Sequence, residues 1–164
     1  MVKVERSVAI GRSSDDVFAF VADQTNAARW QSGILEVRRL TDGPPGVGTR
    51  HVFTRTLMGR RMTGENEYVE FVPGRRVAFR TTSGPGLFAS YDVAPGSTGA
   101  RLTATIELDV SGIMTVAAPL VARSLSRDVE ANLARLKGIL EEPANQAAAG
   151  AIERGHAIGS ALVR

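Results

Sequence analysis

Three side chains have the types that acid–base chemistry needs, at positions an extended chain can bring together. Tyr91 carries a phenolic proton, and Glu65 and Glu67, two residues apart, fall on one face of a strand. Inside a dry pocket such a carboxylate is biased toward its protonated form and serves as acid or base. A different fate is open to both glutamates. A bulge or an open strand end carries them to solvent, or an arginine such as Arg55 neutralises them, because unpaired buried carboxylates are rare.

Several other chemistries are excluded. With no cysteine there is no disulfide, thiolate nucleophile or cysteine metal site. His51 and His156 are the only histidines and do not stand at ligand spacing, so no metal is expected. Gly46 and Gly48 do not continue into a dinucleotide fingerprint, no phosphate-loop lysine motif occurs, and Ser13 and Ser14 lack a nucleophile elbow. No cofactor is expected.

The elements that must position these groups are legible from periodicity. Val2 to Ile10 reads as a first strand ended by Gly11. Ser13 caps a following helix, with Asp15 and Asp16 in its first turn and Val17, Phe18, Val21 and Ala22 at helical spacing. Asp23 to Asn26 breaks it, and Ala27 to Trp30 adds a further turn. Six more strands follow: Ile34 to Leu40, Thr49 to Met58, Met62 to Val72, Val77 to Thr82, Leu87 to Val93 and Arg101 to Val110, separated by glycine and proline turns. The period then changes. Leu125, Val129, Leu133, Leu136 and Leu140 form one apolar stripe, predicting a helix from about residue 117 to 141 that stops before Pro143. This is an α+β pattern with seven antiparallel strands and one long helix. A single domain, residues 1–142, holds it, and 143–164 is an Ala- and Gly-rich extension. That extension is either a loosely held appendage or a helix that docks on a second copy in a homodimer.

Strand alternation assigns the inward faces. Val69 and Phe71 anchor their strand, which places Thr63, Glu65 and Glu67 on the same side. Val77, Phe79 and Thr81 point in together, as do Leu87, Ala89, Tyr91 and Val93, and likewise Leu102, Ala104, Ile106 and Leu108. In the strand from Thr49, the set His51, Phe53, Arg55 and Leu57 competes with Arg50, Val52, Thr54 and Thr56, and the first is favoured. Trp30 serves as core or as cavity wall.

The stretches VFAFVADQTNAARW (Val17 to Trp30), VEFVPGRRVAFR (Val69 to Arg80), GARLTATIEL (Gly99 to Leu108) and LARLKGILE (Leu133 to Glu141) resemble the START-like, or SRPBCC (Bet v 1-like), superfamily, and within it the bacterial polyketide cyclase/dehydrase-like group. The resemblance implies a helix-grip fold: a curved sheet around the long C-terminal helix, with two short helices after the first strand. It implies functions as varied as lipid carriage, pigment binding and aromatase/cyclase chemistry. Independently of it, a concave sheet of this width cannot be filled by one helix, so an internal cavity is expected.

Its occupant is expected to be a small apolar molecule, aromatic, polycyclic or acyl, enclosed by Trp30, Phe53, Thr63, Val69, Phe71, Phe79, Thr81, Ala89 and Leu125. Binding is favoured over catalysis because no matched catalytic constellation occurs. In the cyclase alternative, Tyr91 with Glu65 or Glu67 assists aldol closure. The basic residues are too dispersed to track a phosphate backbone, so no nucleic acid is expected. The longest charge-free run, Val110 to Ala122, falls short of the roughly 20 residues of a spanning helix. Without a signal-like stretch at its start, the chain is expected in the cytoplasm.

Overall fold

The computed structural model describes residues 1–57, 59–84, 86–110 and 116–159, with side chains as far as 142. The side chains of the extension, and Met58 at the expected end of one strand, lie outside the described residues. Strand β1 (Val2–Ile10) leads into helix α1 (Ser14–Ala22), a 3-10 turn (Gln24–Asn26) and the short helix α2 (Ala27–Trp30). Then come β2 (Ile34–Arg39), β3 (Arg50–Leu57), β4 (Arg60–Val72), β5 (Arg76–Thr81), β6 (Leu87–Gly96) and β7 (Gly99–Leu108), and finally helix α3 (Ala118–Gly159).

The seven strands form one antiparallel sheet in the order β1-β7-β6-β5-β4-β3-β2. Each later strand lies beside its predecessor, and only β1 returns to pair with the last. Helix α1 starts as its sequence dictates: Ser13 Oγ accepts from the Asp16 amide at 3.1 Å, and Val17, Phe18, Val21 and Ala22 are buried. These residues, with the inward faces of β1 and β5 to β7, build the core.

The apolar stripe of α3 is buried at Val129, Leu133, Leu136 and Leu140 and packs along β1. Polar ties hold the two in register. Arg6 Nε donates to Glu130 at 2.6 Å, Lys137 Nζ donates to the Ala9 carbonyl at 2.7 Å, and the Gly11 amide donates to Glu141 at 2.8 Å. The helix therefore sits toward the β1 side of the concave face and leaves space over β3 to β6. Contrary to the sequence expectation, it does not stop before Pro143 but continues to Gly159. A proline inside a helix costs about 3 kcal/mol, but it does so by local sterics and one lost bond, and the alanine-rich stretch beyond it has high helix propensity.

The second correction concerns β4. Its register slips between Tyr68 and Glu70, so that Val69 and Glu70 together oppose Ala78. This bulge inverts the alternation upstream of it. Gly64, Asn66 and Tyr68 face inward with Phe71, whereas Thr63, Glu65 and Glu67 lie on the convex face and Val69 is largely exposed.

Candidate functional site

A cavity of about 170 Å³ opens between the sheet, the segment from Gln24 to Ser32 and the inner face of α3. Its walls are mostly apolar. Trp30 from α2, Phe53 from β3, Phe79 from β5, Tyr91 from β6 and Leu125 from α3 contribute most, with Thr81 and Ala89 between them. Trp30 and Tyr91 meet edge to face, with centroids 5.6 Å apart, and the Phe79 ring lies 6.2 Å from that of Tyr91. The fold places them there for a simple reason. Phe79 and Tyr91 are inward residues of adjacent strands, and α2 closes over them because the broken helix between Asp23 and Asn26 turns the chain back across the sheet.

Six of the nine expected lining residues, Trp30, Phe53, Phe79, Thr81, Ala89 and Leu125, thus share one cavity with Tyr91. Thr63, Val69 and Phe71 do not line it. Thr63 points away from the hollow, Val69 occupies the bulge, and Phe71 packs instead against Phe18 and Tyr68 beneath α1. The two glutamates are corrected in the same way. Glu65 is bound by Arg50, and Glu67 stands in register between Arg50 and Arg80, so the convex face carries a ladder of opposite charges. Neither carboxylate reaches the cavity. The β3 alternation falls as favoured at His51, Phe53 and Arg55, whereas Leu57, the fourth of that set, is exposed.

Of the three acid–base candidates, only Tyr91 remains in the site. Its hydroxyl accepts a hydrogen bond from Gln31 Nε2 at 3.2 Å. Burial, followed by the nearby Tyr68, raises its pKa well above the ordinary phenol value, with Gln31 opposing. At neutral pH it is a neutral phenol that holds its proton and offers it as a hydrogen bond.

The sequence reading missed Gln24, Gln31, Asn66, Asp128 and Asn132 as lining residues. Gln24 and Asn66 are paired across 42 positions of sequence, a separation no local pattern reports. Arg55 lines the cavity as well. It does not neutralise the glutamates, and its guanidinium has no carboxylate partner within 4.0 Å among the described residues.

Behind Asn66, in register on β3, lies His51, 2% exposed and tilted against the Tyr68 ring at 5.0 Å. Burial lowers its pKa from the ordinary 6.5, and Arg39 adds to this, against the opposing pull of Asp23 and Asn66. The native chain therefore resists the proton that the unfolded chain takes up below about pH 6.5. This contribution leaves stability unaffected above pH 6.5 and erodes it as the pH falls. Denaturant unfolding at pH 7.5 and 5.5 is expected to show a loss at the lower pH that shrinks in His51→Gln. An equal loss in both proteins would remove His51 as its source.

A curved antiparallel sheet gripping a long helix, with an aromatic-walled cavity between them, defines the helix-grip class of START-like domains. The chain belongs to the family described as polyketide cyclase / dehydrase and lipid transport, whose model matches residues 1–141. No curated protein shows a significant match. Among solved structures, the di-domain aromatase/cyclase StfQ of the steffimycin biosynthetic pathway is similar at a TM-score of 0.73 and 17% identity, over 88% of this chain and 52% of that one. The chain thus spans about half of that protein. The ZhuI aromatase/cyclase from Streptomyces sp. R1128 matches at 0.66 and 17%, over 85% of this chain and 93% of that one. A protein from Chromobacterium violaceum matches at 0.63 and 18%, over 86% and 99%. At such identities the likeness shows the fold alone. Among the described residues, no helix is long and apolar enough to cross a membrane.

Proposed function

We propose that this chain binds a small, largely apolar molecule non-covalently in the helix-grip cavity, and that residues 1–142 carry this function. The observation that supports it best is the composition of the walls: Trp30, Phe53, Phe79, Tyr91 and Leu125 converge there, while both candidate carboxylates lie on the opposite face of the sheet. Size narrows the class. An apolar cavity of about 150 Å³ accepts benzene, so about 170 Å³ suits a single aromatic ring or a short acyl chain. A polycycle enters only if a wall side chain swings aside.

A second reading places chemistry in the same cavity, favoured by the family and by the Tyr91 hydroxyl at the wall. A folded poly-β-ketone would be aligned by shape, with Tyr91 donating a hydrogen bond to a carbonyl during aldol closure.

One experiment addresses both. Thermal unfolding is followed with one-ring to four-ring aromatics and with fatty acids of increasing length, since a ligand at a hundred times its Kd adds about 2.7 kcal/mol to native stability. One-ring and short acyl compounds are expected to raise the midpoint, and the absence of any shift across all classes would end the binding reading. Tyr91→Phe then separates the two roles. In a binder it changes affinity by about 0.5–1.5 kcal/mol, the worth of one hydrogen bond, whereas in a cyclase it lowers turnover with affinity nearly intact. Glu67→Gln is the control and is expected to alter neither.

A further inference from the structure

The cavity is lined by one cation that the fold leaves without an anion. Arg55 belongs to the inward row of β3 and is partly buried. Its cross-strand neighbours cannot neutralise it: it stands in register with Ile34 on β2 and Met62 on β4, and the next inward residue of β4 is Gly64. Arg50 and Arg76, on the convex face, differ in this respect. Arg50 is paired with Glu65, and Arg76 with both Glu70 and Asp92. Asp128, the one acidic residue of the cavity wall, is exposed on α3 and forms no ion pair with Arg55. The guanidinium is not equally open along its length. Nε is sealed and has no partner. The two terminal nitrogens also lack a partner but are not sealed, so they are what Arg55 presents to the cavity. A permanent charge partly withdrawn from water is costly unless an anion or other acceptors meet it.

We infer that Arg55 receives a carboxylate on the ligand end-on, its two terminal nitrogens donating to the two oxygens, while the ligand's ring or short chain lies against the aromatic wall. The inference rests on the binding reading above and names the polar head its ligand carries. The two oxygens of a carboxylate match the spacing of the guanidinium fork, and such charge-assisted pairs are the strong ones. Other heads match less well. A ketone, ether or amide accepts from the fork but leaves the charge uncompensated, and an ammonium sets like charge against it. A phosphate monoester brings up to two charges and three oxygens, for which one guanidinium supplies too few donors. Because Arg55 is only partly buried, the carboxylate keeps some of its water, which reduces the desolvation that penalises a fully buried pair. Position narrows the class further. Phe53 precedes Arg55 in the inward row, and two residues of strand span roughly 6.5 Å. An acid whose carboxylate stands one or two carbons off its ring therefore reaches Arg55 with the ring still beside Phe53.

The test uses three one-ring probes of similar shape, 3-phenylpropanoate, 3-phenylpropanamide and 3-phenylpropylammonium, titrated calorimetrically into the full chain. The acid is expected to bind at least tenfold more tightly than the amide, although the amide is the easier of the two to withdraw from water, and the ammonium more weakly than either. In Arg55→Met, which keeps an unbranched side chain and removes the charge, the preference for the acid over the amide is expected to fall below twofold while the amide still binds. Arg55→Lys keeps the charge and loses the fork. It is expected to reduce the preference at least threefold, and it provides the readout if Arg55→Met does not fold. Equal affinity of the native chain for the acid and the amide, or tighter binding of the amide, would overturn the inference and leave the binding reading standing. A preference for the acid that persists undiminished in the variants would remove Arg55 as its source. If none of the three binds to the native chain, the binding reading falls and this inference falls with it.

Discussion

Trp30→Ala is expected to destabilise the chain by about 3–5 kcal/mol, the range for removing a buried large aromatic, and at the same time to shift the ligand preference toward larger molecules. Trp30 is 3% exposed and ends a helix of only four residues, so its ring is the main apolar anchor of that segment over the sheet. It also meets Tyr91 edge to face, a geometry worth about 0.5–1.5 kcal/mol beyond area burial. Its loss leaves a void continuous with the existing cavity, since the indole is part of the wall. The two effects therefore have opposite signs for different ligands. One-ring compounds lose contacts, whereas two- and three-ring compounds gain the space the indole vacated. Denaturant unfolding measures the first effect and titration with a size series the second. A stability loss below about 1 kcal/mol, or an unchanged order of ligand sizes, would mean that Trp30 is not the wall it is taken to be.

What could be read in the sequence follows from how far each signal reaches. The stripe at Val129, Leu133, Leu136 and Leu140 is a local period, and all four residues are buried. The alternations Val77 with Phe79, Ala89 with Tyr91 and Leu102 with Ala104 are equally local, and each set faces the core. In β4 the same rule gave the wrong face because its anchors, Val69 and Phe71, lie at or beyond the bulge. One inserted residue reverses every side chain upstream, and it moved both glutamates to the convex face. A trace of it was present in the sequence. Tyr68 and Phe71, three apart, cannot share a face of an unbroken strand, yet their rings stack at 5.8 Å. The Gln24–Asn66 pair left no trace at all, because it joins a helix break to a strand that only the tertiary fold brings together. Pro143 shows the converse. A local preference for ending the helix is real, but it is only one contribution among those of the residues on either side.

Gly64→Val is expected to close the cavity from the sheet side. Gly64 faces inward on β4 and pairs with Phe53 on β3, whose ring tip occupies the space a side chain at residue 64 would take. A Cβ at residue 64 would stand 2.6 Å from Phe53 Cζ and within 3.2 Å of two further ring carbons, closer than non-bonded carbons approach. The strand itself would favour valine, because β-branched residues suit a pleated surface and glycine weakens it. That preference spans only about 1 kcal/mol, whereas forcing extra volume into a packed position costs about 1–3 kcal/mol, so the net effect is a loss of stability. The space into which the ring can move is the cavity it borders. Ligand affinity is therefore expected to fall at least tenfold, about 1.4 kcal/mol, with Gly64→Ala intermediate. Shortening the displaced ring should reverse this. In Gly64→Ala/Phe53→Leu the two changes nearly offset one another in volume, and recovery of affinity beyond the sum of the single effects would reveal the contact directly. If Gly64→Val binds one-ring ligands as tightly as the native chain, the Phe53 ring has found room elsewhere and the bare backbone at residue 64 does not shape the site.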